Sequence, residues 1–236
     1  MPAAVLFRDA VSLSGRFPLL AGLTLEIEEG EVVHLRGANG AGKTSLLRAC
    51  AGLVPIASGV AEVLGYDLLV DRQSLRREVG LLGHDSFLYE DLSVEDNLRF
   101  ALRAARAPLE RLEPALERLG LAGRVRSTLF GRCSTGQRRR AAFAVLVARE
   151  PRLWLLDEPH AGLDAQARQV VDAVIDEARS AGATVLVASH ELDRAEALAD
   201  LVVDLAGGRV VGRSPAERTV GSVPMAAIET MGCDVA

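Results

Sequence analysis

The chain has 236 residues, 49% of them hydrophobic, with 27 Lys and Arg against 32 Asp and Glu and a formal charge of −5. That length and apolar content fill one core, or one core carrying an inserted subdomain, and exclude disorder as the default. The acidic balance argues against broad nucleic-acid binding, so no nucleic-acid partner is expected.

No apolar run approaches the roughly 18 to 20 residues that span a bilayer, and the longest, Ala141 to Ala148, is less than half of that. Met1 to Asp9 lacks the basic start and long apolar stretch of a secretory signal. The expected address is the cytosol, with any membrane role exercised through a partner. Cys50, Cys133 and Cys233 lie far apart without paired metal spacing and read as reduced thiols.

In chain order, Val5 to Leu13 and Leu23 to Glu28 alternate apolar and polar residues as half-buried strands do, and Glu29-Gly30 turns into a third strand, Glu31 to Arg36. That strand runs into Gly37-Ala38-Asn39-Gly40-Ala41-Gly42-Lys43-Thr44, which fits GxxxxGK[ST] at every fixed position. The glycines let backbone N–H groups turn inward around phosphate oxygens, and the helix expected from Gly42 to Ala51 adds its positive N-terminal end. Thr44 and Ser45 bring hydroxyls to the start of that helix. Lys43 is the only lysine among the 27 basic residues. A compact ammonium serves as a point charge against β and γ phosphates where a flat guanidinium does not.

Beyond Gly52 and Pro55, Gly59 to Leu64 resumes a short strand, Ser74 to Glu78 makes about one helical turn, and Val79 to Leu82 reads as a buried strand ending at Gly83-His84-Asp85. The pattern then turns helical. Ser93-Val94-Glu95-Asp96 caps a run through Arg106, Pro108 stops it, and Leu109 to Leu119 comes next with so weak a charge pattern that it needs tertiary support. These segments form an inserted helical subdomain.

A helix from Gly136 to Arg149, with Arg138-Arg139-Arg140 as its solvated or interfacial face, leads to the strand Leu153 to Leu156. A helix from Ala165 to Ala181, the strand Thr184 to Ala188, a helix from Glu191 to Ala199 and the strand Leu201 to Leu205 complete an α/β core with parallel strands. His34 is expected to be a hydrogen-bonded core residue and His160 to face an interface.

Asp157-Glu158 ends its strand at the sheet edge where ligands collect in open α/β folds. Asp157 is placed to hold Mg²⁺ through water, with Thr44 as a hydroxyl ligand. Glu158 points elsewhere and is the candidate to orient or deprotonate an attacking water.

From Val5 to about Val211 the order of motifs resembles the ATP-binding-cassette ATPases. Ser134-Thr135-Gly136-Gln137 resembles the family's LSGGQ signature, Ala161 to Asp164 its D-loop, and His190 its switch histidine. The resemblance implies an α/β fold: a P-loop NTPase core with a mostly parallel sheet, an N-terminal antiparallel β subdomain and an inserted α-helical subdomain. It divides the chain into one ATPase domain, 1–213, with the β subdomain and core in 1–84 and 141–213 and the helical subdomain in 85–140, followed by a tail, 214–236. It implies ATP and Mg²⁺ as cofactors. It also implies a head-to-tail dimer in which Ser134, Gly136, Gln137 and Asp164 of one copy close on ATP held by the other, and integral membrane transporter subunits that keep the chain at the inner face of the membrane. Lys43, Glu158 and His190 are the expected catalytic groups.

Several positions depart from the family pattern. The Q-loop glutamine is replaced by His84, whose neutral imidazole would accept from a metal-bound water and whose protonated form would repel Mg²⁺. ATPase activity is therefore expected to fall more steeply on acidification than in His84→Gln, and identical pH profiles would remove the idea. Thr135 and Cys133 replace the first glycine and the leading leucine of the signature. The adenine-stacking aromatic is absent just before Gly15, which leaves Phe17 for that role against plain core packing.

The His84 variant, the signature variant and the chain length look like the haem exporter ATPases of cytochrome c biogenesis, the CcmA type. The alternatives are an ATPase for another solute such as a drug or lipid, a soluble ATPase of DNA repair or cofactor assembly, and a regulatory module that binds nucleotide without turnover.

Overall fold

The computed structural model describes residues 2–83 and 86–216. The readings placed on His84, Cys233 and the tail beyond residue 216 lie outside the described residues.

Alternation along the first strands is satisfied by an antiparallel sheet. β1 (Ala3–Ser14) and β2 (Phe17–Glu28) pair along nearly their whole length. β4 (Ser58–Val63) then returns beside β1 and carries the two-residue β5 (Tyr66–Asp67), giving the order β2-β1-β4-β5. The short strand after the phosphate loop therefore belongs to the N-terminal sheet.

The second sheet contains β3 (Val32–Arg36), β6 (Val79–Leu82), β7 (Leu153–Asp157), β8 (Thr184–Ala188), β9 (Leu201–Ala206) and β10 (Arg209–Pro215). Its order is β10-β9-β3-β8-β7-β6, and all neighbours are parallel except β10 against β9. β7 and β8 read as nearly unbroken apolar runs because both faces are covered. Leu153 and Leu155 pack toward α1 (Lys43–Cys50) and the antiparallel sheet, while Trp154 and Leu156 pack into the helical core on the other face. Truncating such a leucine to alanine costs about 2–5 kcal/mol.

The helices are α2 (Val94–Ala105), α3 (Leu112–Arg118), α4 (Thr135–Arg149), α5 (Ala165–Ser180) and α6 (Leu192–Leu198). Ser93 caps α2 by accepting from the Asp96 amide at 3.0 Å. The tertiary support that the weak local charge pattern calls for is present. Arg126 pairs with both Glu95 and Glu113, Arg118 with Glu177, and Arg111 with Glu150, each reaching across elements.

Two expectations fail. Of the solvated and interfacial readings of the arginine triplet, the solvated one fails: all three side chains are half-buried and donate to carbonyl oxygens. Arg138 donates to Gly131 and Cys133 beneath a cation–π contact with Phe130, and Arg140 donates to Leu119 and Gly120. Nor does His160 face an interface. It is 1% exposed, and its Nε2 donates to Asp172 Oδ1 at 2.8 Å, where Arg194 also binds.

Candidate active site

The sheet register sets the site. Leu35 of β3 and Asp157 of β7 both pair with Ala188 of β8, so three neighbouring strands end level. Past this common edge, β3 gives way to the glycine loop, β7 to Glu158, and β8 to Ser189-His190.

The loop's path is enforced by close packing. Gly37 sits at φ +152°, and a Cβ there would lie 2.4 Å from the Leu205 carbonyl oxygen. Gly208, in the turn between β9 and β10, donates its N–H to Ala41 O at 2.9 Å and accepts from Ala21 N at 3.0 Å, bracing the loop against β2. α1 begins without a side-chain cap and without an acid in its first turn, so its N-terminal amides stay available to an anion. Lys43 is 8% exposed, and its ammonium donates to Gly37 O at 2.6 Å and Ala38 O at 3.2 Å. The charge is thereby held across the loop.

Thr44 Oγ1 donates to Asp157 Oδ2 at 2.7 Å. Two hard oxygen donors therefore converge where the loop meets the strand end. Among the described residues no group of three or more His, Cys, Asp and Glu could cage a metal. A cation at this pair would be completed by phosphate and water oxygens, which is how Mg²⁺ is commonly held.

Glu158 occupies the left-handed region at φ +49°, and its N–H donates to Ala188 O at 2.8 Å. Its carboxylate accepts from Ser189 Oγ at 3.4 Å and from the His190 amide at 3.3 Å, and the His190 ring Nε2 lies 3.6 Å away. Behind it, buried His34 donates from Nε2 to Ser189 O at 3.4 Å. A carbonyl only accepts, so that nitrogen is the donor, and Nδ1 has no hydrogen-bond partner among the described residues. Burial holds the His34 imidazole below its ordinary pKa, with the Ser189 carbonyl opposing.

Asn39 to Ser45, Asp157, Glu158 and His190 line one cavity of about 520 Å³, together with Pro18, Leu19, Gly207 and Gly208. Gly37 and Ala38 supply the carbonyls that hold Lys43. Phe17 is 78% exposed, which excludes core packing, and it immediately precedes cavity-lining Pro18.

Ser134, Gly136, Gln137 and Asp164 do not line this cavity. Ser134 and Gln137 form a reciprocal capping box at the start of α4. Asp164 caps α5 by accepting from Ala167 N at 2.8 Å. These two segments touch each other: a Cβ on Gly136 would lie 3.3 Å from Gly162 O.

Sequence reasoning missed Ser189, Arg139, Gly207 and Gly208. The glycine pair between two apolar runs was a legible hairpin signal. Arg139 and Ser189 had no signal of their own, because their roles are set by carbonyl and carboxylate groups distant in sequence.

A family model described as ABC transporter matches residues 20–161. Over 192 residues the chain is 41% identical to the cytochrome c biogenesis ATP-binding export protein CcmA of Bordetella bronchiseptica, covering 80% of this chain and 84% of that protein. Over 211 residues it is 39% identical to the aliphatic sulfonates import ATP-binding protein SsuB 2 of Rhodococcus jostii, covering 89% and 82%. A solved structure described as the ATP binding subunit of an ABC transporter superposes with a TM-score of 0.84 at 29% identity over 90% of each chain.

Proposed function

The chain belongs to the ABC transporter family as its ATP-hydrolysing, ATP-binding subunit, and from that premise we propose that it powers haem export for cytochrome c biogenesis through a head-to-tail dimer of cassettes. One observation carries the dimer: the phosphate loop, Asp157, Glu158 and His190 line one cavity, whereas Ser134, Gly136, Gln137 and Asp164 line none of it. One chain thus holds half of the expected constellation. A second copy would supply the signature and the D-loop to the γ phosphate.

In this reading, Lys43 and the α1 amides bind the β and γ phosphates, and Phe17 stacks on adenine. Thr44 and Asp157, the latter through water, would hold Mg²⁺, which when bound would neutralise charge on the phosphate oxygens. Glu158 accepts the proton of the attacking water, held in place by the contacts from Ser189 and His190. His190 donates to the γ phosphate. His84, at the position where the family carries glutamine, would contribute through water.

We assign residues 85–140 to a helical subdomain whose last helix, α4, continues into the core. Between the two parts lies an apolar cavity of about 340 Å³ lined by Leu53, Leu81, Leu88, Tyr89 and Phe100, with Tyr89 and Phe100 edge to face. It suits a membrane subunit that senses closure on ATP and reopening after hydrolysis. No helix among the described residues is long and apolar enough to cross a membrane, and attachment at the inner face would come through that subunit.

The likeness to CcmA supports haem as the solute. Cells lacking the chain are expected to lose covalent haem staining of c-type cytochromes, restored by the wild type and not by Glu158→Gln. Normal staining in the deletion would overturn haem export. The 39% identity to SsuB 2 favours import of a small anion as the second reading. The membrane protein that copurifies with the chain separates the two.

A further inference from the structure

Asp157, the last paired residue of β7, and the next two residues, Glu158 and Pro159, present three successive carbonyl oxygens, and all three converge on one guanidinium. Arg139 of α4 donates from Nη2 to Asp157 O at 2.6 Å and to Glu158 O, and from Nε to Pro159 O at 3.3 Å. Its Nη1 donates to Gly83 O at 2.8 Å, at the end of β6. The side chain is half-buried and meets carbonyls rather than a carboxylate. Burial lowers its pKa while the charges of Asp157 and Glu158 oppose that.

Several features set this contact apart from ordinary capping. Glu158 is held at φ +49°, a conformation that a non-glycine residue keeps only when its surroundings fix it. Two of the Arg139 bonds go to the peptide groups on either side of that residue's φ and ψ. The flanking arginines of the same helix bind elsewhere: Arg138 at Gly131 and Cys133, Arg140 at Leu119 and Gly120. Arg139 also stands about 1.4 turns beyond Ser134, the cap of α4, so a single rigid helix links the signature to the strand end.

We propose that Arg139 is a positioning residue for hydrolysis, fixing the backbone that aims Glu158 and tying the orientation of this carboxylate to the helix that presents the signature to the partner copy. The proposal rests on the reading of Glu158 as the group that accepts the proton of the attacking water. A guanidinium suits the task because its planar fork spans separated acceptors. A lysine ammonium offers three donors at one point and cannot reach all four carbonyls together.

The test is ATP hydrolysis by the full-length chain carrying Arg139→Ala, with Arg140→Ala as comparator and fluorescent-nucleotide binding as the check on folding. Arg139→Ala is expected to lower kcat about 10- to 100-fold with KM for ATP changed less than about threefold. Guanidinium at tens of millimolar should restore much of the rate, and methylammonium should not. Arg140→Ala should keep kcat within about twofold. A kcat within twofold of wild type for Arg139→Ala, an equal loss in Arg140→Ala, or no response to guanidinium would overturn the proposal. If Arg139→Ala does not bind nucleotide, Arg139→Lys decides: reduced kcat at unchanged KM supports the assignment, and wild-type kcat overturns it. Glu158→Gln is measured alongside. Wild-type hydrolysis by Glu158→Gln removes the reading of the site itself, whereas an inactive Glu158→Gln beside fully active Arg139 variants removes only the role of Arg139.

Discussion

Thr44 and Asp157, 113 positions apart, are joined by a 2.7 Å hydrogen bond from hydroxyl to carboxylate. In the proposed reading, a cation arriving with nucleotide would take the Thr44 oxygen directly and the Asp157 oxygen through water. In Asp157→Asn the anionic acceptor is lost while shape is kept, so ATP should still bind through the loop and Lys43. The expected outcome is a fall in kcat of about 10-fold or more and a higher Mg²⁺ concentration at half-maximal activity. A Mg²⁺ titration of ATPase activity checks it; an unchanged midpoint would move the metal away from Asp157.

Lys43 and Glu158 should fail in different ways. Lys43→Ala removes the charge that bridges Gly37 and Ala38 and should abolish productive ATP binding. Glu158→Gln keeps the shape and the phosphate contacts, so it should bind ATP, cease hydrolysis and accumulate as a dimer. Light scattering with saturating ATP reads this directly. A Glu158→Gln protein that stays monomeric, with and without its membrane subunit, would count against the shared site.

The fold and half of the site were legible because their determinants are local. Apolar runs such as Leu153 to Leu156 mark strands buried on both faces, and GxxxxGK[ST] fixes a loop within eight residues. What was hidden depends on tertiary partners. The arginine triplet looks like a charged face until the free carbonyls of Gly131, Leu119 and Asp157 arrive beside it. His160 reads as facing an interface until Asp172, on the following helix, accepts a hydrogen bond from its ring. β10 was overlooked because a short edge strand of mixed polarity, Arg209–Pro215, carries little pattern beyond its glycine turn.

Stability at low pH should depend on Glu95. Its hydrogen bond to Arg126 is the main cause holding the carboxyl down to about 2 from 4.5, helped by Arg99 and opposed by burial. In the unfolded chain this carboxyl takes its proton near its ordinary pKa, whereas in the fold it resists. The stabilisation is therefore complete above about pH 4.5 and is lost progressively as pH falls toward 2. Glu95→Gln should melt a few degrees lower at pH 7 and lose less further stability across that acid window than the wild type. Parallel melting curves of the two proteins against pH would show that Glu95 does not contribute the difference.

Gly207 and Gly208 offer a matched pair for the brace behind the phosphate loop. Both sit in the left-handed region, at φ +54° and +72°, so alanine at either position incurs backbone strain of about 1 kcal/mol. Space separates them. A Cβ on Gly207 meets nothing within 4 Å, whereas one on Gly208 would lie 2.8 Å from Leu19 O and 3.1 Å from Leu20 Cα. These are backbone atoms of β2, and they cannot swing aside as a side chain does. Gly208 also donates to Ala41 O inside the loop, so relief of the clash has to move the loop, β2 or both. Gly207→Ala should therefore lower the melting temperature by a few degrees with ATP affinity unchanged. Gly208→Ala should lower it further and weaken ATP binding about 10-fold or more, because the amides that face phosphate are displaced. Equal ATP affinity in the two variants would show that the β9–β10 turn does not set the loop's position.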